Sequence, residues 1–449
     1  MPSDGTSEAQ REESQSGPVL PADELSTAPT AARSYSGLAA TFRSLRHRNY
    51  RLYFFGQMVS LTGTWMQNAA LVWLAFRLTD ESKWAALVSA AQILPTFFFG
   101  AWGGALADRW PKRSLIFLTQ SAFLILALLL TGLTFAGVID RWQLLLVTVA
   151  SGLVQAIDLP ARLAFVMDLA GREDLMNAVA LNSLLFNIAR VVGPAISGFL
   201  MRWLAPEACF FANALSYAAV LWALARMDIT RSVHLAEQSK GLRSLVEGLA
   251  YVAGRRDLAF FMLLGVVISL CGWPSQTLLP ALARGVLGSN EIGYSWMLSG
   301  TGLGALAAAW TLATFGSVEE RRQVIRAGVS LVSGGLIALS IAPNLPLAMA
   351  CCGLIGFGLI LFLATSQSII QLSAGEHNRG RVMAIWAMTQ SGAVPLGSFL
   401  AGTAADGWGV PFVLQLLGVT CVTAALGLWL LFLLGLPWAK SNDPISSDQ

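Results

Sequence analysis

Segment after segment of this chain runs on with almost no charge, and that leaves few ways to fold. Unpaired backbone N–H and C=O groups cannot be left in hydrocarbon, so only helices or closed barrels satisfy them there. A roughly 19-residue window finds about twelve such segments, each long enough to cross a hydrocarbon core of roughly 30 Å as a helix. They lie at 50–76, 84–107, 114–136, 142–167, 175–201, 208–225, 258–282, 292–315, 324–341, 345–372, 382–404 and 410–436. A barrel strand would alternate apolar and polar positions, whereas Leu124-Ile125-Leu126-Ala127-Leu128-Leu129-Leu130 is apolar on every side. With 55% hydrophobic and 12% charged residues, the chain is expected to be an all-α integral membrane protein.

Basic residues mark the sides of the membrane, because Lys- and Arg-rich loops stay cytoplasmic. With the N-terminus inside, the outward loops hold only Arg77, Lys83, Arg141, Arg202 and Arg284 of the 29 Lys and Arg residues. Inward segments hold Arg43, Arg46, Arg48, Arg51, Arg109, Lys112, Arg113, Arg255, Arg256, Arg321, Arg322, Arg326, Arg379 and Arg381, so both termini are expected in the cytosol. The +3 net charge reflects this sidedness and calls for no nucleic-acid partner. Residues 1–41 mix acids with Ser, Pro, Gly and Ala and lack an apolar core, which reads as a disordered cytosolic tail rather than a signal peptide; 437–449 is a second tail. Trp102, Trp110, Trp142, Trp203, Trp408 and Trp438 fall at span ends, as an aromatic belt requires. The five cysteines lie inside spans without spaced pairs, so no disulfide, metal site or cofactor is expected.

Between the sixth and seventh segments the chain leaves the membrane over 227–256, splitting it into bundles at 42–226 and 257–436. Within this linker 241–256 is amphipathic, with Leu242, Leu245, Val246 and Leu249 on one face, which suits a helix lying on the inner leaflet. Equal halves suggest internal duplication. At an offset of about 200 residues, Pro194 and Ser197 match Pro395 and Ser398, a modest trace of that symmetry.

The loop between the second and third spans reads Gly104-Ala105-Leu106-Ala107-Asp108-Arg109-Trp110-Pro111-Lys112-Arg113. A tight turn needs glycine, and Asp108 at a helix end can meet the positive end of a neighbouring helix or an Arg, latching one conformation; the plainer function of its basic residues is to anchor topology. The layout together with this loop resembles the major facilitator superfamily, with Gly104, Leu106, Asp108, Arg109 and Arg113 matching its signature and Pro111 replacing a glycine. Gly193-Pro194 with Ser197-Gly198 resembles the motif of that superfamily's antiporters, although Ala189 and Ser197 stand where the motif has glycines. The runs 158–162, 177–183 and 189–194 are similar to the enterobactin-exporter-like branch of siderophore and drug exporters, many of which have an acid where this chain has Thr64. The resemblance spans 42–436. It implies twelve helices in two pseudo-symmetric bundles, spans one, four, seven and ten around a central cavity, and a conformational latch at Gly104, Asp108, Arg109, Arg113, Gly193, Pro194 and Gly198.

Only Asp158, Arg162 and Arg190 place charge deep within spans, where each costs on the order of 2.5–3.5 kcal/mol on insertion scales. At 1.5 Å per residue Asp158 lies ~24 Å down from the outer end of its span, and Arg190 lies ~22 Å up from the inner end of its own, past the midplane. A direct pair between them is not expected. Arg162 follows Asp158 by four residues, the spacing for an ion pair along one face, with Pro160 loosening the ladder between them. The pair serves either transport or structure; Arg190 either ties the carbonyls freed by Pro194 or meets an anionic substrate. As a group, Asp158, Arg162 and Arg190 are the candidate proton-coupling residues.

Polar residues recur at helical spacing on three spans: Gln57, Ser60, Thr64, Gln67 and Asn68; Thr148, Ser151, Gln155, Asp158 and Arg162; Ser269, Trp273 and Gln276. Such faces meet lipid only at a cost, so they are expected to converge on a water-accessible substrate cavity, interhelical hydrogen bonding being the alternative for any single residue. Thr365, Ser366, Gln367, Ser368 and Gln371 on the tenth span are placed to help close the inner mouth.

No Gly-Lys-Ser/Thr loop cradles a nucleotide, and His47, His234 and His377 all lie in cytosolic segments, leaving Asp158 as the deep carboxylate available to carry a proton. The expected function is therefore non-enzymatic: a monomeric, proton-coupled exporter of a small amphipathic compound, siderophore or drug-like, in a bacterial inner membrane. An importer or lipid translocator would use the same scaffold. A non-transporting sensor would not need three polar stripes, and an intramembrane hydrolase would need a histidine or paired carboxylates at depth.

Overall fold

The computed structural model describes residues 43–227, 241–315 and 321–433. The two tails and residues 228–240 of the 227–256 linker, with His234 and Trp438 among them, lie outside the described residues, as do the side chains of Leu242, Leu245, Val246 and His377. Among the described residues every regular element is helical. In chain order these are α1 (Arg48–Thr79), α2 (Ser82–Arg109), α3 (Lys112–Phe135), α4 (Arg141–Gly171), α5 (Asp174–Leu204), α6 (Pro206–Ala225), α7 (Gly241–Gly254), α8 (Arg256–Val286), α9 (Glu291–Phe315), α10 (Arg321–Ser340), α11 (Leu345–Ser373), α12 (Gly375–Trp408) and α13 (Val410–Leu433). Nine of the described helices are long and apolar enough to cross a membrane. The three other long ones, α1, α9 and α12, are diluted by Gly, Ser, Thr and amide residues, the price of lining or crossing an interior.

Local chemistry sets the helix ends. α4 starts with a capping box, in which Gln143 N–H donates to Asp140 Oδ1 at 2.7 Å and Gln143 Oε1 accepts from Asp140 N–H at 3.1 Å. It ends where Gly171 takes φ 70°, a turn that disfavours any residue with a Cβ, and α5 follows almost at once. α8 is interrupted at Gly272-Trp273-Pro274, where proline withholds the N–H that a continuous helix needs, and closes on a π turn over Leu282–Val286. The linker helix α7 packs against α12: Tyr251 donates to the Ala374 carbonyl at 3.2 Å, and Glu247 pairs with Arg381 at 3.2 Å.

Helices within 48–225 pack chiefly on one another, α1 on α5 and α6, α2 on α4, and α3 on α6. Those within 256–433 do likewise, α11 lying against α9 and α10, and α13 against α8 and α10. Small residues permit the closest crossing. A Cβ at Gly304 on α9 would collide with the Gly353 backbone on α11, and one at Gly356 with the Thr301 backbone. Pro194 and Pro395 both lie inside their helices, and Ser197 and Ser398 are both buried, so the residues matched in sequence hold equivalent environments.

The two groups meet along α2–α12 and α5–α9, at the end that carries the α1–α2 turn. There α2 has no cap of its own, because the Glu81 side chain makes none. Asp406 of α12 supplies one from across the interface, accepting from Ser82 N–H at 2.6 Å and from Lys83 N–H at 3.0 Å. Around it Arg284 pairs with Asp80 at 3.3 Å, Arg202 reaches Glu291 at 3.9 Å, and Tyr294 stacks on Trp73 with ring centres 5.5 Å apart. A carboxylate on the first amides of a helix is worth about 1–2 kcal/mol. Asp406→Ala is therefore expected to enlarge the population with this end parted by up to about tenfold, read as a longer distance between spin labels at Leu78 and Trp408. An unchanged distance distribution would remove Asp406 from the seal.

Trp102, Trp110, Trp142, Trp203 and Trp408 are all exposed on the protein surface, as residues of an aromatic belt must be.

Candidate functional site

Two adjoining cavities lie inside the seal. The first, of about 310 Å³, is lined by Ser60, Thr64, Gln67 and Asn68 of α1, by Thr148, Ser151, Gln155, Asp158 and Arg162 of α4, and by Gln120 and Tyr217. The second, of about 240 Å³, draws on both helical groups through Asn68, Gln92, Trp273, Gln276 and Tyr294. Trp65, Asn68, Gln92 and Ile93 line both, so α1 and α2 together form a wall common to the two. The polar faces expected on the first, fourth and seventh spans thus gather around one interior space.

Asp158 is the chemical centre of the first cavity. It is only 1% exposed, and three side chains surround its carboxylate. Thr119 donates to Oδ1 at 2.6 Å, Gln120 donates to the same oxygen at 3.1 Å, and Arg162 Nε stands 2.6 Å from Oδ2. Arg162 also donates through Nη1 to Gln57 Oε1 at 3.1 Å. The four-residue spacing did set up the ion pair, and the guanidinium bridges α4 to α1 as well. Further along α1, Thr64 and the Tyr217 hydroxyl are 3.3 Å apart, and Asn213 donates to Gln67 at 2.9 Å. These bonds join α1 to α6 and orient the polar wall.

Arg190 stands apart from this network. It is 5% exposed, with its guanidinium carbon 4.9 Å from the Trp273 ring centre and 5.8 Å from that of Trp65. No bond to a carbonyl freed by Pro194 is formed; on that stretch Ser299 of α9 donates to the Val191 carbonyl instead, at 3.0 Å.

Two residues of the expected cavity face elsewhere. Gln57 lies below it as an acceptor for Arg162, and Ser269 is fully buried and donates to Gln390 on α12. The break at 272–274 is the reason for the second. Helical periodicity carried Ser269 onto the face of Trp273 and Gln276, but the interruption separates it from them. On α11, Thr365 and Ser366 are buried and Gln367 and Gln371 exposed, and none of them lines either cavity. Sequence reasoning missed Trp65, Gln92, Thr119, Gln120 and Tyr217. Gln92 and the Thr119-Gln120 pair were readable as isolated polar residues in apolar spans, which need a partner for the same reason that Asp158 does.

The latch residues fall into two sets. Asp108 and Arg109 are exposed and without a partner among the described residues, and Gly104 is half-buried beside them. Arg113 instead donates to the Leu224 carbonyl at 2.7 Å, closing the end of α6, and Lys112 pairs with Asp168 at 2.8 Å. In α5, Gly193 lies flush against the Thr62 and Trp65 region of α1, Pro194 is buried, and Gly198 lies against Ser295 of α9 across the interface.

Residues 39–449 match the family described as transmembrane secretion effector. The staphyloferrin A transporter of Staphylococcus aureus (strain NCTC 8325 / PS 47) is 24% identical over 83% of this chain and 94% of its own length. The enterobactin exporter EntS of Escherichia coli O1:K1 / APEC is 24% identical over 79% of this chain and 85% of its own. Among solved structures, nucleoside transporter NupG superposes with a TM-score of 0.71 at 14% identity, over 86% of this chain and 99% of that one, which establishes the transporter fold.

Proposed function

This chain belongs to the transmembrane secretion effector family of major-facilitator-type transporters, and from that premise we propose that it is a secondary active exporter, driven by protons, for a small amphipathic organic compound of siderophore or drug-like kind. The observation that carries this is the meeting of polar helix faces on an interior cavity beside a buried, ion-paired carboxylate. Twelve crossings, grouped six and six, rock about the cavity, with both termini in the cytosol of a bacterial cell and the sealed end facing outward. Asp158 takes the proton. Once neutral it no longer holds Arg162, whose guanidinium loses the anchor that aims it at Gln57, and the tie between α4 and α1 loosens. Asp108 and Arg109 engage in the opposite state, when the cytosolic ends close, while Asp406 holds the present one.

Inside-out vesicles acidified within should accumulate fluorescent amphipathic compounds only when they contain this protein. A protonophore should abolish the accumulation. Accumulation that survives the protonophore would exclude proton coupling, and equal uptake with and without the protein for a broad panel would exclude export.

A further inference from the structure

Arg190 is a buried cation that the coupling scheme leaves unused. Among the described residues no carboxylate pairs with it and nothing hydrogen-bonds to its side chain, and its Nη2 is fully shielded and unpartnered. The indoles of Trp65 and Trp273 offset part of its desolvation through their π-faces, but a ring cannot satisfy a guanidinium's N–H donors. Arg190 itself lines neither cavity but sits directly behind the two indoles, both of which line the second, where Gln276 presents a second buried, unpartnered donor in Nε2 and no acid is among the lining residues. The two buried atoms left unpartnered at this place, Arg190 Nη2 and Gln276 Nε2, are both donors, and one of them carries positive charge. A partner that completes both brings acceptors and negative charge.

We propose that Arg190 receives a carboxylate on the transported molecule, while Trp65 and Trp273 grip the flat apolar body that carries it. This rests on the transport function proposed above and specifies its substrate class: an amphipathic organic anion. A guanidinium matches a carboxylate through paired N–H donors, and two indoles offer stacking surfaces at the same spot. Location supports the assignment. Arg190 and Trp65 come from one helical group and Trp273 from the other, at the break in α8, so a bound anion would touch both moving parts at once. Gly302 and Ser299 of α9 lie against the Arg190–Val191 backbone, fixing the point from which the guanidinium projects.

The test uses the purified full-length protein and calorimetric titration with three probes: 2-naphthoate, its neutral counterpart 2-naphthamide, and 2-naphthyl phosphate. Naphthoate is expected to bind at least tenfold more tightly than naphthamide. That preference should vanish in Arg190→Gln and persist in part in Arg190→Lys. Equal affinity for acid and amide, no binding of either, or a preference that survives Arg190→Gln would overturn the proposal; tighter binding of the phosphate would overturn the carboxylate assignment. Melting of the empty protein separates a ligand site from a structural tie. Arg190→Gln should melt at or above the wild-type temperature, because an unmatched buried charge has been removed, and a lower melting temperature would overturn the proposal. Proton-driven uptake without acid–amide discrimination would sink this inference and leave the transport function standing. Discrimination in binding without any gradient-driven flux would do the reverse.

Discussion

Asp158→Asn is expected to abolish proton-driven accumulation and, separately, to destabilise the protein. Asparagine keeps an Oδ1 that can accept from Thr119 and Gln120, so the packing survives, but it leaves the Arg162 guanidinium without its counter-charge. Breaking one side of a buried ion pair costs about 3–5 kcal/mol, and the retained hydrogen bonds put this change at the lower end. Arg162→Gln should cost a comparable amount, since it strands the carboxylate. The double variant Asp158→Asn/Arg162→Gln removes both charges and should recover most of the lost stability while remaining unable to couple a gradient. A double-mutant cycle on melting temperature, run beside vesicle uptake, reads both effects. A double variant whose loss equals the sum of the two single losses would show that the two charges do not depend on each other. Full accumulation by Asp158→Asn would remove the carboxylate from the coupling path.

Gly304→Ala should produce the second large effect, through packing alone. At that position α9 and α11 approach so closely that an added methyl meets the Gly353 backbone and the Phe357 amide, neither of which is the yielding end of a side chain. Forcing extra volume into such a contact costs about 1–3 kcal/mol. Gly334→Ala, at an exposed helical position with nothing within 4 Å of the added carbon, is the control and should hold or raise stability. Thermal melting in detergent distinguishes the two substitutions. Equal melting temperatures would mean that α9 and α11 are free to slide apart, and the group 256–433 would not move as one body.

Hydropathy sufficed for the elements, because the cost of an exposed peptide group in hydrocarbon is local and large. The segment expected at 114–136 is α3 at Lys112–Phe135, and the break between 167 and 175 falls at Gly171. Where a helix outruns the membrane, hydropathy gives no sign of it: α12 begins at Gly375, although its apolar stretch starts at 382. The polar face of α4 was readable for the same local reason, through steps of three and four, and so was the Asp158–Arg162 pair. Depth arithmetic separated Asp158 from Arg190, and the two have different neighbours. Ser269 was misplaced because periodicity assumes an unbroken helix, although Gly272 and Pro274 were there to warn against it. The seal leaves no trace in any one span, for another reason. Asp406 meets Ser82 across 324 residues of sequence, and no pattern within one span encodes a partner in another.

That seal turns the start of α2 into an indicator of the protein's own state. While Asp406 is in place, the amide hydrogens of Ser82 and Lys83 are bonded; once α12 withdraws, only water or fraying of the first helical turn can serve them, since Glu81 offers no side-chain substitute. Deuterium uptake at these two peptide groups would therefore keep time with the transport cycle, with no label, no substrate and no engineered residue.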